Sequence, residues 1–431
     1  MKADAPNSNE QYAAHLPALH LLCNLGWSFL TTAQALALRG STREVILRSR
    51  RVEVLQTRRY EYKGQWYPLS SSGIEQVVRE LSAVSLTEGL LPANERLYGK
   101  LALGITVTEF MPDGKKHQPT IAVIDWADPA ANRWDVTEEL EVLSAQGTHH
   151  RTPDVVGFVN GLPLVVIEAK RPESTHAGKS MVAEGISQHL RNQRPDEIPQ
   201  LFGYAQLLMA VSQTEGRYGT TATAANFWAR WREEEFDAAH LAAVKNAPLP
   251  PEVRSRLFEG KPASLAAYFE SLCSHPMEPT DQDRLLCSLL TPARLLEFLR
   301  SYVLFDRKVG KIVARYQQFF GIRALLARIR QVRPDGGREG GVVWHTTGSG
   351  KSFTMVFLTK ALLLVDELAE CRVVVVTDRV DLEGQLSRNF ISGGAFGSAI
   401  ASQKDGEKSR AMTGRDLARR IGSGTERITF T

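Results

Sequence analysis

The stretch PDVVGFVNGLPLVVIEAK, residues 153–170, places two β-branched apolar runs on either side of Asn160-Gly161. Asn-Gly adopts left-handed backbone angles at low cost, so the stretch reads as a β-hairpin whose strands lie inside a sheet. Glu168 and Lys170 are two residues apart and share one strand face. A two-residue turn alone sets Pro153 opposite Glu168 and leaves Asp154 on the wrong face. A three-residue loop centred on Gly161, or one bulge, brings Asp154 opposite Glu168. The longer loop or the bulge is therefore expected.

Two carboxylates beside a lysine at the end of a buried strand suit metal-assisted phosphodiester hydrolysis. Asp154 and Glu168 hold one or two Mg2+ ions, the metal lowers the pKa of a bound water, and Lys170 orients that water or offsets the charge of the transition state. The competing reading is a strand end that merely carries exposed charge, because D…ExK spacing recurs by chance.

Working outward, the runs IAVIDW, from Ile121, and RWDVTEELEV, from Arg133, add strands before the hairpin, and the sheet is expected to end near Pro172. Residues 181–211 carry helical spacing and two possible strand turns. NFWARWREEE (226–235) reads as an amphipathic helix with Trp228 and Trp231 in a core. Residues 9–110 read as α+β, with helix-like QYAAHLPALHLLCNLGWSFL and GIEQVVRELSAVSL flanking an arginine-rich segment. The arginines from Arg43 to Arg59 either follow a phosphate backbone or form a solvated face. His149 and His150 have no partners at metal-ligand spacing and read as surface residues. PLPPEV (248–253) breaks the helical pattern, and LLCSLLTPARLLEFLRSYVLF (285–305) reads as a helix pair interrupted at Pro292.

A second chemical motif lies further on. GVVW (341–344) reads as a strand, HTTGSGKS (345–352) as a glycine loop, SFTMVFLTKALLLV as a helix and RVVVVTD (372–378) as a strand buried on both faces. Gly348 and Gly350 let backbone N–H groups turn around an anion, with Thr347 before them and Ser349 between them in the loop. Lys351 reaches the terminal phosphates and Ser352 ligates magnesium. His345 stands where the first glycine of this pattern usually falls. A chance strand-to-helix turn is the alternative.

The whole chain has 431 residues, enough for two or three domains. Its formal charge of +4, from 52 basic and 48 acidic residues, excludes an acidic solvating protein and confines any DNA-binding surface to local patches. With 43% hydrophobic and 23% charged residues it is an ordinary globular composition, not a disordered one. Cys23, Cys273, Cys287 and Cys371 are too scattered for a disulfide framework or a zinc ribbon. The polar N-terminus and the lack of any long apolar run argue against secretion and membrane insertion, so a cytoplasmic location is expected. The basic stretch Lys404, Lys408, Arg410, Arg415, Arg419 and Arg420, broken by Asp405, Glu407 and Asp416, reads as a loop.

In order, RTPDVVGFVNGLPLVVIEAKRP, GRYGT, RYQQFFGIRAL, GGVVWHTTGSGKSFTM and VVVVTDRVDLEGQL resemble the restriction subunit of type I restriction-modification enzymes over nearly the whole chain. The resemblance implies a PD-(D/E)xK nuclease core followed by the opening motifs of a superfamily 2 DNA translocase. It implies cleavage of double-stranded DNA after ATP-driven translocation, in complex with methyltransferase and specificity subunits. By position, Asp154, Glu168 and Lys170 fall on the nuclease triad. Gln188 fits the glutamine of a helical Gln-x-x-x-Tyr motif, with Asn192 at the tyrosine position, and Gln200–Tyr204 is a second match. Gln318 matches the adenine-reading glutamine, with Gln317 its rival. Gly348, Gly350, Lys351 and Ser352 match the phosphate loop, and residues 377–386 match the next motor motif.

The fold expected is α/β: a restriction-endonuclease-like α+β nuclease domain (1–247), a helical connection (248–310) and an incomplete first RecA-like lobe (311–431). No Asp-Glu-x-His motif follows Gln385, so the chain is expected to be an N-terminal portion that binds ATP weakly and hydrolyses it negligibly. Two other classes stand beside this reading: a nucleotide-binding, helicase-like DNA motor without cleavage, and a non-catalytic fragment that docks on methyltransferase subunits.

Overall fold

The computed structural model describes residues 14–82, 84–172, 180–306, 309–346, 348–368, 371–376, 411, 413–424 and 428–430. The chain divides into two compact units, one up to Glu297 and one from Phe298.

The first unit is built on a six-stranded mixed sheet. Its strands are β1 (Ser28–Leu30), β2 (Trp134–Glu138), β3 (Val155–Val159), β4 (Leu162–Ala169), β5 (Leu207–Ser212) and β6 (Glu215–Gly219), lying side by side in that order. The β1/β2 and β4/β5 pairs are parallel, and the other three are antiparallel. Every residue of β3, β4 and β5 is buried, which their unbroken apolar sequences require of strands covered on both faces.

The covers are helices α1 (Leu16–Asn24), α2 (Met181–Asn192) and α3 (Asp281–Leu290). A Cβ at Gly185 of α2 would stand 3.1 Å from Ala210 Cβ, and one at Gly216 would stand 2.7 Å from Leu285 Cδ2 of α3. Gly216 pairs with Val211, the neighbour of Ala210, and adjacent strand residues point to opposite faces. Helices α2 and α3 therefore cover opposite faces of the sheet. Trp27 Nε1 donates to Leu290 O (2.9 Å), and Asn24 Nδ2 donates to Val244 O (2.9 Å) and Ala247 O (2.8 Å), so helices beyond residue 237 belong to this unit's core.

Sheet and loops depart from the sequence reading in four places. The sheet does not end near Pro172: the chain leaves through α2 and returns with β5 and β6, because parallel β4 and β5 need a long crossover. Residues 226–235 are not a helix. Ala225–Phe227 form one 3₁₀ turn, and Ala229 then bridges Tyr218 beside β6. Trp228 is nevertheless buried, and Trp231 is half-buried. The arginine-rich segment is neither a free DNA face nor a solvated one throughout. Arg51 is fully enclosed and donates to Val123 O (3.0 Å), Arg50 faces Asp135 (3.6 Å), and Arg58 faces Asp125 (3.6 Å). His149 is no bare surface residue, since its Nε2 lies 2.9 Å from Glu197 Oε2.

The helix pair breaks where Pro292 predicts, Asp281–Leu290 being followed by Pro292–Ser301. In the second unit a hairpin of Val303–Asp306 and Gly310–Val313 precedes helices α4 (Tyr316–Ile329) and α5 (Lys351–Leu364). Tyr302, Phe319 and Phe357 form its aromatic core, with Tyr302 and Phe319 centroids 4.6 Å apart. Val373–Val375 pairs in parallel with Ile428–Phe430. Among the described residues 341–344 has no ladder partner and forms no strand, and Val342 (93%) and Trp344 (90%) are exposed. Nor is 373–376 buried on both faces, since Val374 and Val376 are exposed. In the basic stretch Gly414–Ser423 is a helix, in which Arg419 and Arg420 bond Asp416. Lys404, Lys408, Arg410 and residues 377–386 lie outside the described residues.

Candidate active site

The β3–β4 hairpin turns on Asn160 (φ 53°) and Gly161 (φ 79°), both left-handed as a two-residue turn demands. Asn160 is buried and bonded on every side. Its Oδ1 accepts from Arg133 N (2.7 Å), and its Nδ2 donates to Val123 O (3.1 Å) and Asn132 Oδ1 (2.8 Å). A Cβ at Gly161 would fall 2.6 Å from Leu47 O, so close backbone approach also fixes the glycine.

From this turn the register runs Val159↔Leu162 and Phe158↔Pro163, then shifts by one to Gly157↔Val165, Val156↔Val166 and Val155↔Ile167. This is the bulge expected from the sequence, and the next step sets Asp154 opposite Glu168. Two residues favour it there. Pro163 has no N–H to give the ladder, and a Cβ on Gly157 would lie 2.9 Å from the Trp27 ring packed on it.

The bulge gathers the acid–lysine cluster. Asp154 Oδ2 accepts from Ala169 N (2.8 Å) and Lys170 Nζ (3.0 Å), and Lys170 Nζ lies 3.5 Å from Glu168 Oε2. Lys170 N donates to Val211 O (2.7 Å), tying the strand end to β5. Glu168 and Lys170 are 2% and 3% exposed, whereas the Asp154 side chain is 20% exposed and opens the cluster outward. Glu168 Oε1 is buried without a hydrogen-bond partner. Burial, followed by the charge of Asp154, pushes the Glu168 carboxyl well above the usual carboxylate range, and Lys170 opposes the rise. Two carboxylates share one ammonium, so the site favours an added proton or cation.

Helix α2 closes the cluster from one face. The position of a Gly185 Cβ would be 3.3 Å from Glu168 Cβ and 3.6 Å from Lys170 Cγ, so only glycine lets the helix approach so near. Gln188 follows three residues later, on the same side of the helix, and its Oε1 is buried without a partner. Next to it His189 is fully buried, its Nε2 2.8 Å from Met209 O, and burial pushes its pKa down to about 4. In the second match for the helical motif, Gln200 likewise has a buried Oε1 without a partner. Gln200 Nε2 donates to Leu143 O (2.7 Å), and Tyr204 OH to Leu81 O (2.7 Å).

Gly185, Gly157 and Pro163 were not singled out from the sequence. A glycine inside the helical run 181–192, and a glycine and a proline inside strands, were the available signals. Among the described residues no three His, Cys, Asp or Glu side chains converge on a metal-binding cluster, so a cation here would rest on Asp154 and Glu168.

In the second unit, Gly348 (φ 79°) and Gly350 (φ 88°) take left-handed angles and lead into α5, whose first residue is the exposed Lys351, followed by the half-buried Ser352. Thr347 lies outside the described residues. Ser349 Oγ donates to Thr346 O (2.7 Å), closing the loop on itself. Gln318 braces the loop: its Oε1 accepts from Arg315 N (2.9 Å), and its Nε2 donates to Gly350 O (3.1 Å). Gln317 instead carries a buried Oε1 without a partner.

A mixed α/β protein is thus defined, with an acid–lysine cluster at a strand end in one unit and a glycine loop heading a helix in the other. Residues 7–227 match the family described as type I restriction enzyme R protein N terminus, and residues 317–431 match the SWI2/SNF2 ATPase family. The chain belongs to the type I restriction enzyme R protein family. It is 31% identical over 330 residues to the type I restriction enzyme HindI endonuclease subunit of Haemophilus influenzae, covering 75% of this chain and 27% of that protein. It is 27% identical over 403 residues to the putative type I restriction enzyme MjaIXP endonuclease subunit of Methanocaldococcus jannaschii, covering 91% of this chain and 35% of that one. The chain therefore spans about a third or less of the length of these relatives.

Proposed function

We propose that the chain is the nuclease-bearing part of a restriction subunit, which cleaves unmodified double-stranded DNA far from the recognition site after ATP-driven translocation. It would work in the cytoplasm, assembled with methyltransferase and specificity subunits. In this reading the first unit has a restriction-endonuclease-like fold and the second is part of a RecA-like lobe. The observation that carries it is the bulged register that sets Asp154 against Glu168 and Lys170.

The residues fit a divalent cation. Glu168 has a buried, unpartnered oxygen, Asp154 faces outward, and the cluster lacks one positive charge. Mg2+ bound by Asp154 and Glu168 would supply Lewis acidity that lowers the pKa of a water. The protein's own contribution is position. Asp154 is held by Ala169 N, Lys170 is fixed between the carboxylates, and its ammonium stands ready to offset charge developing on a phosphodiester. Gln188 would orient the attacking water, accepting a hydrogen bond from it through its unpartnered amide oxygen.

The glycine loop fits ATP in the same way. Left-handed Gly348 and Gly350 turn the backbone before α5, Lys351 is free to reach phosphates, and Ser352 would hold the accompanying Mg2+. Gln318 positions Gly350, and the unpartnered oxygen of Gln317 makes it the better candidate to meet the base.

The test is Lys170→Ala in the reconstituted complex. Cleavage of unmodified circular DNA should disappear while ATP hydrolysis persists; undiminished cleavage would remove Lys170 from the active site.

A further inference from the structure

We propose that Arg191, near the end of helix α2, holds a backbone phosphate of the DNA a few nucleotides from the bond that is cut. The proposal deepens the nuclease reading above and rests on it.

Helix α2 has one side buried and one flank open. Val182, Gly185, Ile186, His189 and Asn192 are buried, as residues spaced by three and four along one helical face should be. Within that face Gly185 lies over Glu168 and Ala210, on the seam between β4 and β5. His189 turns from the seam toward β5 and β6. Its Nε2 lies 2.8 Å from Met209 O, and its ring centre lies 5.2 Å from that of Trp228, beside β6. At about 100° per residue, Gln188 and Arg191 project on the other side of Gly185 from His189, roughly 60° and 120° around the helix. That flank looks toward β3, where the Asp154 side chain opens the cluster outward.

Arg191 is half-buried and forms no ion pair among the described residues. Its Nε donates to Oδ1 of the buried Asn192 (3.4 Å), a neutral acceptor that restrains the guanidinium and leaves both terminal nitrogens for a ligand. The carboxylates nearest in sequence do not claim it. Glu197 is taken by Arg151 (2.7 Å) and His149 (2.9 Å), Asp196 is exposed beyond the helix, and Glu184 is exposed beside Gly185, two turns back. A guanidinium held by a neutral side chain keeps its full charge, and its paired N–H donors match two oxygens of a phosphodiester.

Position makes that phosphate one of the DNA being cut rather than a free ion. Arg191 shares its flank with Gln188, whose unpartnered oxygen is the helix's contribution to the site. From Gly185, level with the cluster, to Arg191 is about 9 Å along the helix axis. One strand of a duplex advances about 3.4 Å per nucleotide, so the two positions lie within about three nucleotides of each other.

The experiment measures binding of a short labelled DNA duplex by the full chain, without magnesium, over a salt series. R191A should bind more weakly, with the slope of log K against log salt shallower by about 0.9, the share of one lost phosphate contact. R191K keeps the charge and should keep the slope. In the assembled complex R191A should also slow the cutting of unmodified plasmid while ATP turnover is unchanged. A wild-type slope or a wild-type cutting rate in R191A overturns the assignment, and the nuclease reading survives either result if Lys170→Ala still abolishes cutting. Absence of any duplex binding by the wild-type chain overturns it as well. A slope as shallow in R191K as in R191A would trace the loss to a misplaced helix rather than to charge, and overturns it too.

Discussion

Gly185→Ala tests whether the close approach of α2 organises the acid–lysine cluster. Two effects oppose each other. Alanine inside a helix is favoured over glycine by about 0.8–1 kcal/mol. The added methyl, however, would sit 3.1 Å from Ala210 Cβ and 3.3 Å from Glu168 Cβ, where carbon atoms ordinarily settle at about 3.5–4.0 Å. The helix or the strand must shift by roughly half an ångström, and overpacking of this kind costs about 1–3 kcal/mol. The net destabilisation should be small, about 0–2 kcal/mol, so the fold survives. Cleavage is more sensitive, because a displacement of about 1 Å at a reacting centre costs on the order of 100-fold, and half of that roughly tenfold. Urea denaturation of the chain gives the first quantity, and single-turnover cutting of unmodified plasmid by the assembled complex gives the second. ATP turnover serves as the control for correct assembly. Cutting at the wild-type rate by Gly185→Ala would refute the idea that the helix braces Glu168 and Lys170.

Three further outcomes follow from the same structure. Arg51 is enclosed with two guanidinium nitrogens unpartnered, and Val123 O keeps the Asn160 bond without it, so Arg51→Met should leave the chain as stable or about 1–3 kcal/mol more stable. Burial pushes the Arg51 guanidinium below its ordinary value, a desolvation cost that methionine does not carry; a clear loss of stability in Arg51→Met would contradict this. Glu197 is held at about 2 by hydrogen bonds from Arg151 and by His149, so its stabilisation is complete above the ordinary glutamate range and fades as pH falls toward about 2. Glu197→Gln should cost about 1–3 kcal/mol at neutral pH and flatten that acid limb, and parallel acid-unfolding curves for the two proteins would rule the network out as a stabiliser. Lys351→Ala should abolish ATP-dependent movement along DNA in the assembled complex; continued displacement of a triplex strand would dismiss the phosphate-loop assignment.

What could be read from the sequence was what local chemistry dictates. Asn160-Gly161 announces its turn because few other dipeptides take two left-handed residues, and the need to put Asp154 and Glu168 on one face demands a bulge somewhere between. The position of the bulge was also written, in Pro163 and Gly157, but only as a proline and a glycine whose meaning depends on Trp27, which lies far away in the chain. Strands β5 and β6 were lost at Pro172 because a parallel neighbour returns through a helix and leaves no turn signal. LLMAVS, a short wholly apolar run, is equally consistent with helix or strand until its neighbours are known. The tryptophans at 228 and 231 have helical spacing, yet the backbone between them pairs with β6 through Ala229, a tertiary choice that spacing does not encode. GVVW failed in the other direction: β-branched residues favour a strand, but a strand exists only where a ladder is offered.

The acid–lysine cluster is therefore a product of register. Asp154 stands six residue steps from the turn at Asn160, roughly 20 Å of strand, and a slip of one residue anywhere along it would carry Asp154 to the opposite face. Each end of that span is secured. The turn is anchored by three side-chain hydrogen bonds of buried Asn160 and by the close packing of Gly161 on Leu47 O, and the far end by Ala169 N on Asp154 and Lys170 N on Val211 O. The bulge between them removes the one-residue mismatch that a plain two-residue hairpin leaves. Stability at the turn and chemistry at the strand end are in this way one structural requirement. Residues that never approach the cluster, Asn160 and Pro163 among them, belong to its construction as much as those that form it.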